Sequence, residues 1–73
     1  MKTVWVLDYS RWDETHLVGI FESKDMAKQA LIDQGINLSW SVYFAENEEA
    51  KDTHRRLWTL YELKVNVFHT EGL

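Results

Sequence analysis

The sequence predicts an α+β fold, in which one helix packs on one face of a four-stranded antiparallel sheet, with element order β-β-α-β-β. Three observations predict this fold. Apolar residues alternate with a period of two in four separate stretches, which is the spacing of pleated strands. Between the second and third stretches the apolar spacing becomes helical, and capping residues flank it on both sides. At 73 residues the chain is the size of one domain, covering positions 1–73.

The first strand is predicted at positions 3–9, where apolar side chains occur at both odd and even positions. A strand that is apolar on both faces is typical of the middle of a sheet. Positions 10–14 are polar apart from Trp12 and form the following connection. Because this connection has no Asn-Gly or Gly-Gly pair, a loop of more than two residues is expected.

The second strand is predicted at positions 16–22, and Gly19 in its middle indicates a bulge or the close approach of another group. A helix is predicted at 24–34, with Ser23 as its N-cap and Gly35 as the left-handed residue that ends it. Its predicted inner stripe consists of Met26, Ala27, Ala30 and Leu31.

The third strand is predicted at positions 38–45, with Leu38, Trp40, Val42 and Phe44 on its buried side. Positions 45–56 are charged and have only alanines as apolar residues, so they are predicted to form a solvated loop with at most a helical turn. The last strand is predicted at 57–69. Its odd positions from Leu57 to Val67 are apolar or β-branched, which predicts that they form its buried face.

One short helix cannot cover both faces of such a sheet. The remaining apolar face must then be exposed to solvent, be covered by the charged loop, or be buried by another molecule. The sequence therefore predicts a homodimer or higher oligomer, since one apolar patch meets its own copy about a two-fold axis. The absence of cysteine supports this, because a domain of this size has no disulfide to stabilise it.

The formal net charge of −4 does not fit the basic surface of a nucleic-acid-binding protein. No apolar run is long enough to span a bilayer, and no secretion signal is visible, so a cytoplasmic location is expected. No nucleophile motif or phosphate-binding glycine loop is present, and His16, His54 and His69 lie in different segments. The sequence therefore predicts no enzyme activity, no metal site and no cofactor.

The predicted function is that of a non-enzymatic protein-interaction module. Aromatic residues are the expected anchors, because Trp and Tyr dominate interface hot spots; the candidates are Trp12, Trp40, Trp58, Tyr61 and Phe68. The acidic stretch is a second candidate surface, for a partner with a basic groove, through Glu46, Glu48, Glu49 and Asp52. Two alternatives remain open: a sheet that binds single-stranded nucleic acid through its aromatic residues and Arg55, Arg56 and Lys64, or a small enzyme or metal-binding protein.

The stretches V-W-V-L-D-Y and L-V-G-I-F-E-S-K-D-M-A resemble a family of small uncharacterised phage and bacterial domains, which read V-Y-V-L and then I-x-G-V-F-S-S-x-x-x-A. The late W-T-L-Y-E-L-K-V resembles their closing strand. This resemblance implies a phage-encoded accessory protein that binds a host protein, such as an inhibitor of a bacterial defence system of the anti-CRISPR kind. It implies no catalytic or binding residues.

Overall fold

A computed structural model, which describes residues 2–65, contains one five-stranded antiparallel sheet and one helix. The elements in chain order are β1 (Lys2–Arg11), β2 (Glu14–Phe21), α1 (Lys24–Asp33), β3 (Ser41–Phe44), β4 (Asn47–Lys51) and β5 (Leu57–Val65). The spatial order of the strands is β2-β1-β5-β4-β3, so the two longest strands pair in the middle. The α+β class is confirmed, and the sheet has one strand more than predicted.

The additional strand is β4, which lies within the segment that the sequence predicted to be a solvated loop. It pairs antiparallel with β3 on one side and with β5 on the other. Glu48 and Ala50 are buried in it. The loop prediction was wrong because it rested on local composition. In a strand with neighbours on both sides, ladder hydrogen bonds and a buried ion pair outweigh weak local propensity.

The core lies between α1 and the near face of the sheet. Its buried members are Trp5, Leu7, Ala27, Leu31, Trp58 and Leu60. The helix contributes only Ala27 and Leu31 to this set, so its small inner side chains let it lie close to the sheet. Of the predicted inner stripe, Met26 is 53% exposed and does not belong to the core.

The buried face of β5 is the opposite of the one predicted. Trp58 and Leu60 are 3% and 0% exposed, whereas the odd positions face away from the helix. The register explains this result, because Leu60 lies opposite Leu7 of β1, which faces the helix. Since side chains alternate with a period of two, this register sends every odd position of β5 to the other face.

Both predicted helix ends are confirmed. The Ser23 hydroxyl accepts a hydrogen bond from the Met26 backbone N–H at 3.2 Å. At the other end Gly35 has φ +80°. The Ile36 N–H donates to the Leu31 carbonyl and the Gly35 N–H donates to the Ile32 carbonyl, both at 2.9 Å. These two bonds form a Schellman motif, which needs a left-handed residue at the position of Gly35.

The interpretation of Gly19 is also confirmed. The β1–β2 register shifts between Leu7 and Asp8, as it does at a bulge. A Cβ atom at Gly19 would lie 2.9 Å from the Phe21 ring. Glycine therefore makes room for an aromatic ring that packs against the core.

The β1–β2 connection is a two-residue turn of Trp12 and Asp13, shorter than the predicted loop. Trp12 has φ 62°, in the left-handed region. For a residue with a side chain this conformation costs about 1–2 kcal/mol, which explains why glycine or asparagine usually occupies such a position.

The third strand is shorter than predicted and begins at Ser41. Leu38 and Trp40 pack against the core from the irregular segment before it. Val42 and Phe44 are 61% and 70% exposed, so their predicted burial was wrong. The reason is position: β3 is an edge strand, and α1 does not extend over it.

Candidate functional site

The face of the sheet opposite α1 carries an exposed apolar patch. We call it the open-face patch and define it as the exposed Leu17, Ile20 and Leu63 together with Val4 and Val6 on the strand between them, of which Val4 is half-buried and Val6 is 4% exposed. In the register of the sheet, Val6 lies opposite Ile20 and Val4 lies opposite Leu63. Leu17, Ile20 and Leu63 are 65%, 57% and 46% exposed. Contiguous apolar side chains that remain this accessible are the usual mark of an interaction surface.

The rest of the open face is polar. The Thr59 hydroxyl donates a hydrogen bond to the Asp8 carboxylate, and Tyr61 lies near the same carboxylate. Burial and the Asp8 charge raise the pKa of Tyr61. Burial and the nearby Glu49 carboxylate raise the pKa of Tyr43, which lies near the same cluster. These polar groups confine the apolar surface to β2, β1 and the end of β5.

One end of the open-face patch has a pair of opposite charges. Lys2 and Glu22 lie there with their charged atoms 3.8 Å apart, and both side chains are mostly exposed. The rim thus carries one cation and one anion rather than a single sign of charge. Such a rim is complementary to itself after a two-fold rotation.

The acidic stretch does not form a continuous acidic surface, because Glu48 points to the helix. Its two carboxylate oxygens lie 2.9 Å from Lys24 Nζ and 2.9 Å from Lys28 Nζ. Burial alone would raise the pKa of Glu48, but the hydrogen bonds from both lysines outweigh it and hold the pKa below its usual range. Glu48 therefore fixes β4 to α1.

Asp52 is also satisfied within the fold. Its Oδ1 accepts hydrogen bonds from the backbone N–H groups of His54 and Arg56, at 2.8 and 3.0 Å. Its Oδ2 accepts from Arg56 Nε at 2.6 Å and from Trp58 Nε1 at 2.9 Å. Burial opposes ionisation, but the bonds from Trp58, Arg56 and His54 prevail and hold the pKa of Asp52 well below its usual range. The carboxylate organises the β4–β5 connection.

The predicted aromatic anchors lie in different environments. Trp58 is in the core, and Trp40 packs against it. Tyr61 is half-buried in the polar part of the open face. Trp12 is 87% exposed at the β1–β2 turn. Phe68 lies outside the described residues.

The two remaining acidic candidates are separated. Glu46 is exposed in the β3–β4 turn, and Glu49 is half-buried on the open face, opposite Thr59. The sequence reasoning missed Leu17, Ile20 and Leu63 as candidate contact residues. In each strand these residues alternate with residues of the core, and this alternation could have identified them. Using it requires knowing which face of each strand is turned to the helix.

Within residues 2–65, no group of three or more His, Asp or Glu side chains is arranged to hold a metal ion. In that same range no helix has the length and apolar character needed to cross a membrane. Comparisons of the chain with protein-family models, with curated proteins and with solved structures find no match.

Proposed function

We propose that the protein is a non-enzymatic interaction module that forms a homodimer through the open-face patch. The observation that carries this proposal is the exposure of Leu17, Ile20 and Leu63 on the face of the sheet opposite α1. Covering these side chains removes apolar surface from water, which is worth about 25 cal/mol for each Å². A domain with few buried residues gains most from such a contact.

A second copy of the chain fits the surface for two reasons. The Lys2 and Glu22 pair lets each cation meet the partner's anion when two patches face one another about a two-fold axis. In addition, the patch is part of a sheet, and two sheets pack face to face at about 10 Å through alternating apolar side chains. The polar cluster around Asp8 then lies at the edge of the contact, where it stays hydrated.

Sedimentation of Ile20→Lys tests the homodimer. The charge placed in the middle of the patch is expected to convert the dimer into a folded monomer. Ile32→Lys is the matched control, because Ile32 is 48% exposed on α1, away from the patch. This control is expected to remain dimeric with an unchanged circular dichroism spectrum.

A wild-type protein that sediments as a monomer at about 1 mM would contradict the proposal, since even a weak association of about 4 kcal/mol is half-saturated at that concentration. Equal loss of the dimer in both variants would also contradict it, because the contact would then not be centred on the patch.

The biological side of the proposal is that the protein inhibits a host defence protein, by occluding one of its surfaces. It is supported by the resemblance of the V-W-V-L and L-V-G-I-F-E-S stretches to small phage and bacterial domains. Expression of the protein in a bacterium with an active defence system is expected to restore phage plaques. Unchanged plaque counts across a panel of such systems would contradict this role.

A further inference from the structure

We propose that the end of the sheet formed by the β1–β2 turn and the β4–β5 connection binds a nucleoside phosphate, with its base on Trp12 and its phosphate between Arg11 and Arg55. The two segments are neighbours because Ser10, at the end of β1, pairs with Leu57, at the start of β5. Between them lies a cleft of about 160 Å³, which we call the loop-end cleft; it is lined by Arg11, Trp12, His54 and Arg55.

Trp12 offers a free aromatic surface at the edge of this cleft. At 87% exposure it is the most accessible large apolar side chain described for residues 2–65. Its left-handed backbone is unfavourable for any residue but glycine, asparagine or aspartate. Folding therefore gains little from tryptophan at this position, whereas base stacking uses the whole ring.

The cations of the cleft are available to a ligand. Among residues 2–65, neither Arg11 nor Arg55 forms an ion pair within 4 Å, whereas Arg56 is bound to Asp52. The Asp52 charge is already neutralised by its internal donors. The lining of the cleft thus contains two arginines and no acidic side chain, although the protein as a whole is acidic. Arginine is well suited to phosphate, because its planar fork donates two parallel hydrogen bonds.

A second, larger cleft of about 420 Å³ adjoins the loop-end cleft through His54. Its lining includes Lys51, Arg56 and the segment 35–39 that follows the helix. Arg56 is bound to Asp52, which also lines this cleft, so the cation placed to meet a second phosphate is Lys51. The ligand is then either a free nucleotide or one nucleotide of a single strand, and the chemistry recognised at Trp12 is the same for both.

The test is a fluorescence titration of the full chain at low salt with adenosine 5′-monophosphate and, separately, with an eight-nucleotide oligo(dA). Quenching of tryptophan emission is expected with both probes. Trp12→Gly, whose affinity is measured by calorimetry because it lacks the reporting indole, should weaken binding by about 5- to 100-fold, which is the usual range for loss of one base–aromatic stack. Trp12→Tyr keeps an aromatic ring and should retain most of the affinity.

Arg11→Ala and Arg55→Ala are each expected to weaken oligonucleotide binding and to reduce the slope of log affinity against log salt by about 1. Lys64→Ala is the matched control. It removes one exposed positive charge near the far end of β5 and should change neither quantity. Oligo(dA) binding much more tightly than the mononucleotide would assign the site to a strand, and equal affinities would assign it to the free nucleotide.

Absence of quenching and of binding by both probes at low salt would overturn the proposal. So would an equal loss of affinity in Lys64→Ala, because binding would then follow overall charge rather than the cleft. Polyglutamate that binds as tightly as the oligonucleotide, with no loss in Trp12→Gly, would assign the arginines to an acidic peptide and overturn the nucleoside phosphate.

Discussion

The two faces of the sheet contain similar apolar residues but differ in how far these residues are buried. Leu60 and Leu63 are three residues apart in β5, yet Leu60 is fully buried and Leu63 is 46% exposed. The same contrast occurs across β1 and β2, where Trp5 is buried under the helix and Ile20 is exposed on the other side. Apolar character alone therefore does not determine burial, and cover by the single helix accounts for the burial of Trp5 and Leu60.

The largest expected effect is the difference in stability between alanine substitutions of these two leucines. Leu60→Ala should destabilise the protein by about 2–5 kcal/mol, because it leaves a cavity under the helix. Leu63→Ala should cost under about 1 kcal/mol in the monomer, since its side chain is already half in water. Urea denaturation at low protein concentration measures both values. Equal costs for the two substitutions would mean that the open face is as well packed as the helix face.

The second effect is a loss of stability at acid pH, and it is expected to distinguish the neighbours Glu48 and Glu49, which point to opposite faces of β4. The pKa values of Glu48 and Asp52 are lowered in the folded state, so in the unfolded state these groups bind protons more readily. Their contribution to stability is therefore fully present above the unfolded pKa of about 4 and is lost as the pH falls below it.

Unfolding free energies measured between pH 7 and pH 2.5 test this prediction. The wild-type protein is expected to lose stability steadily below pH 4. Glu48→Gln should lower the free energy of unfolding at pH 7 by about 1–3 kcal/mol and should reduce its further decrease below pH 4. Glu49→Gln is the matched control and should lose stability below pH 4 as the wild-type protein does. A wild-type profile that is flat down to pH 2.5 would contradict the role of the Glu48 and Asp52 ion pairs.

The smallest effect is expected at the β1–β2 turn. Trp12→Gly should raise the free energy of unfolding by about 0.5–1 kcal/mol, because glycine takes the left-handed backbone without strain. A melting temperature a few degrees higher would show it. Clear destabilisation would mean that the indole makes contacts that hold the turn together, and that its exposure is not the relevant property.

Features governed by neighbouring residues were predicted well from the sequence. The Ser23 cap, the Gly35 terminus and the role of Gly19 each follow from the chemistry of a few adjacent positions. The strand β4 and the facing of β5 were missed, because both depend on partners far away in the sequence. Glu48 is buried only because Lys24 and Lys28 meet it from the helix.

For the candidate surfaces, too, local features were visible in the sequence and long-range groupings were not. The exposure of Trp12 could be predicted, since an isolated tryptophan in a polar turn is visible in the sequence. The grouping of Arg11 with Arg55 was not visible, because a net charge of −4 gives no information on how charges are segregated. Only the antiparallel pairing of β1 with β5 places these two arginines at one end.

The pairing of β1 with β5 also has a kinetic consequence. Lys2 lies opposite Val65, so a chain that emerges from the ribosome in order must finish its last described strand before its first one has a second neighbour. Until then the side of β1 away from β2 has no strand beside it. Closing so large a loop costs entropy before any contact repays it. We therefore expect acquisition of native structure to be delayed until β5 has been synthesised, and then to be cooperative.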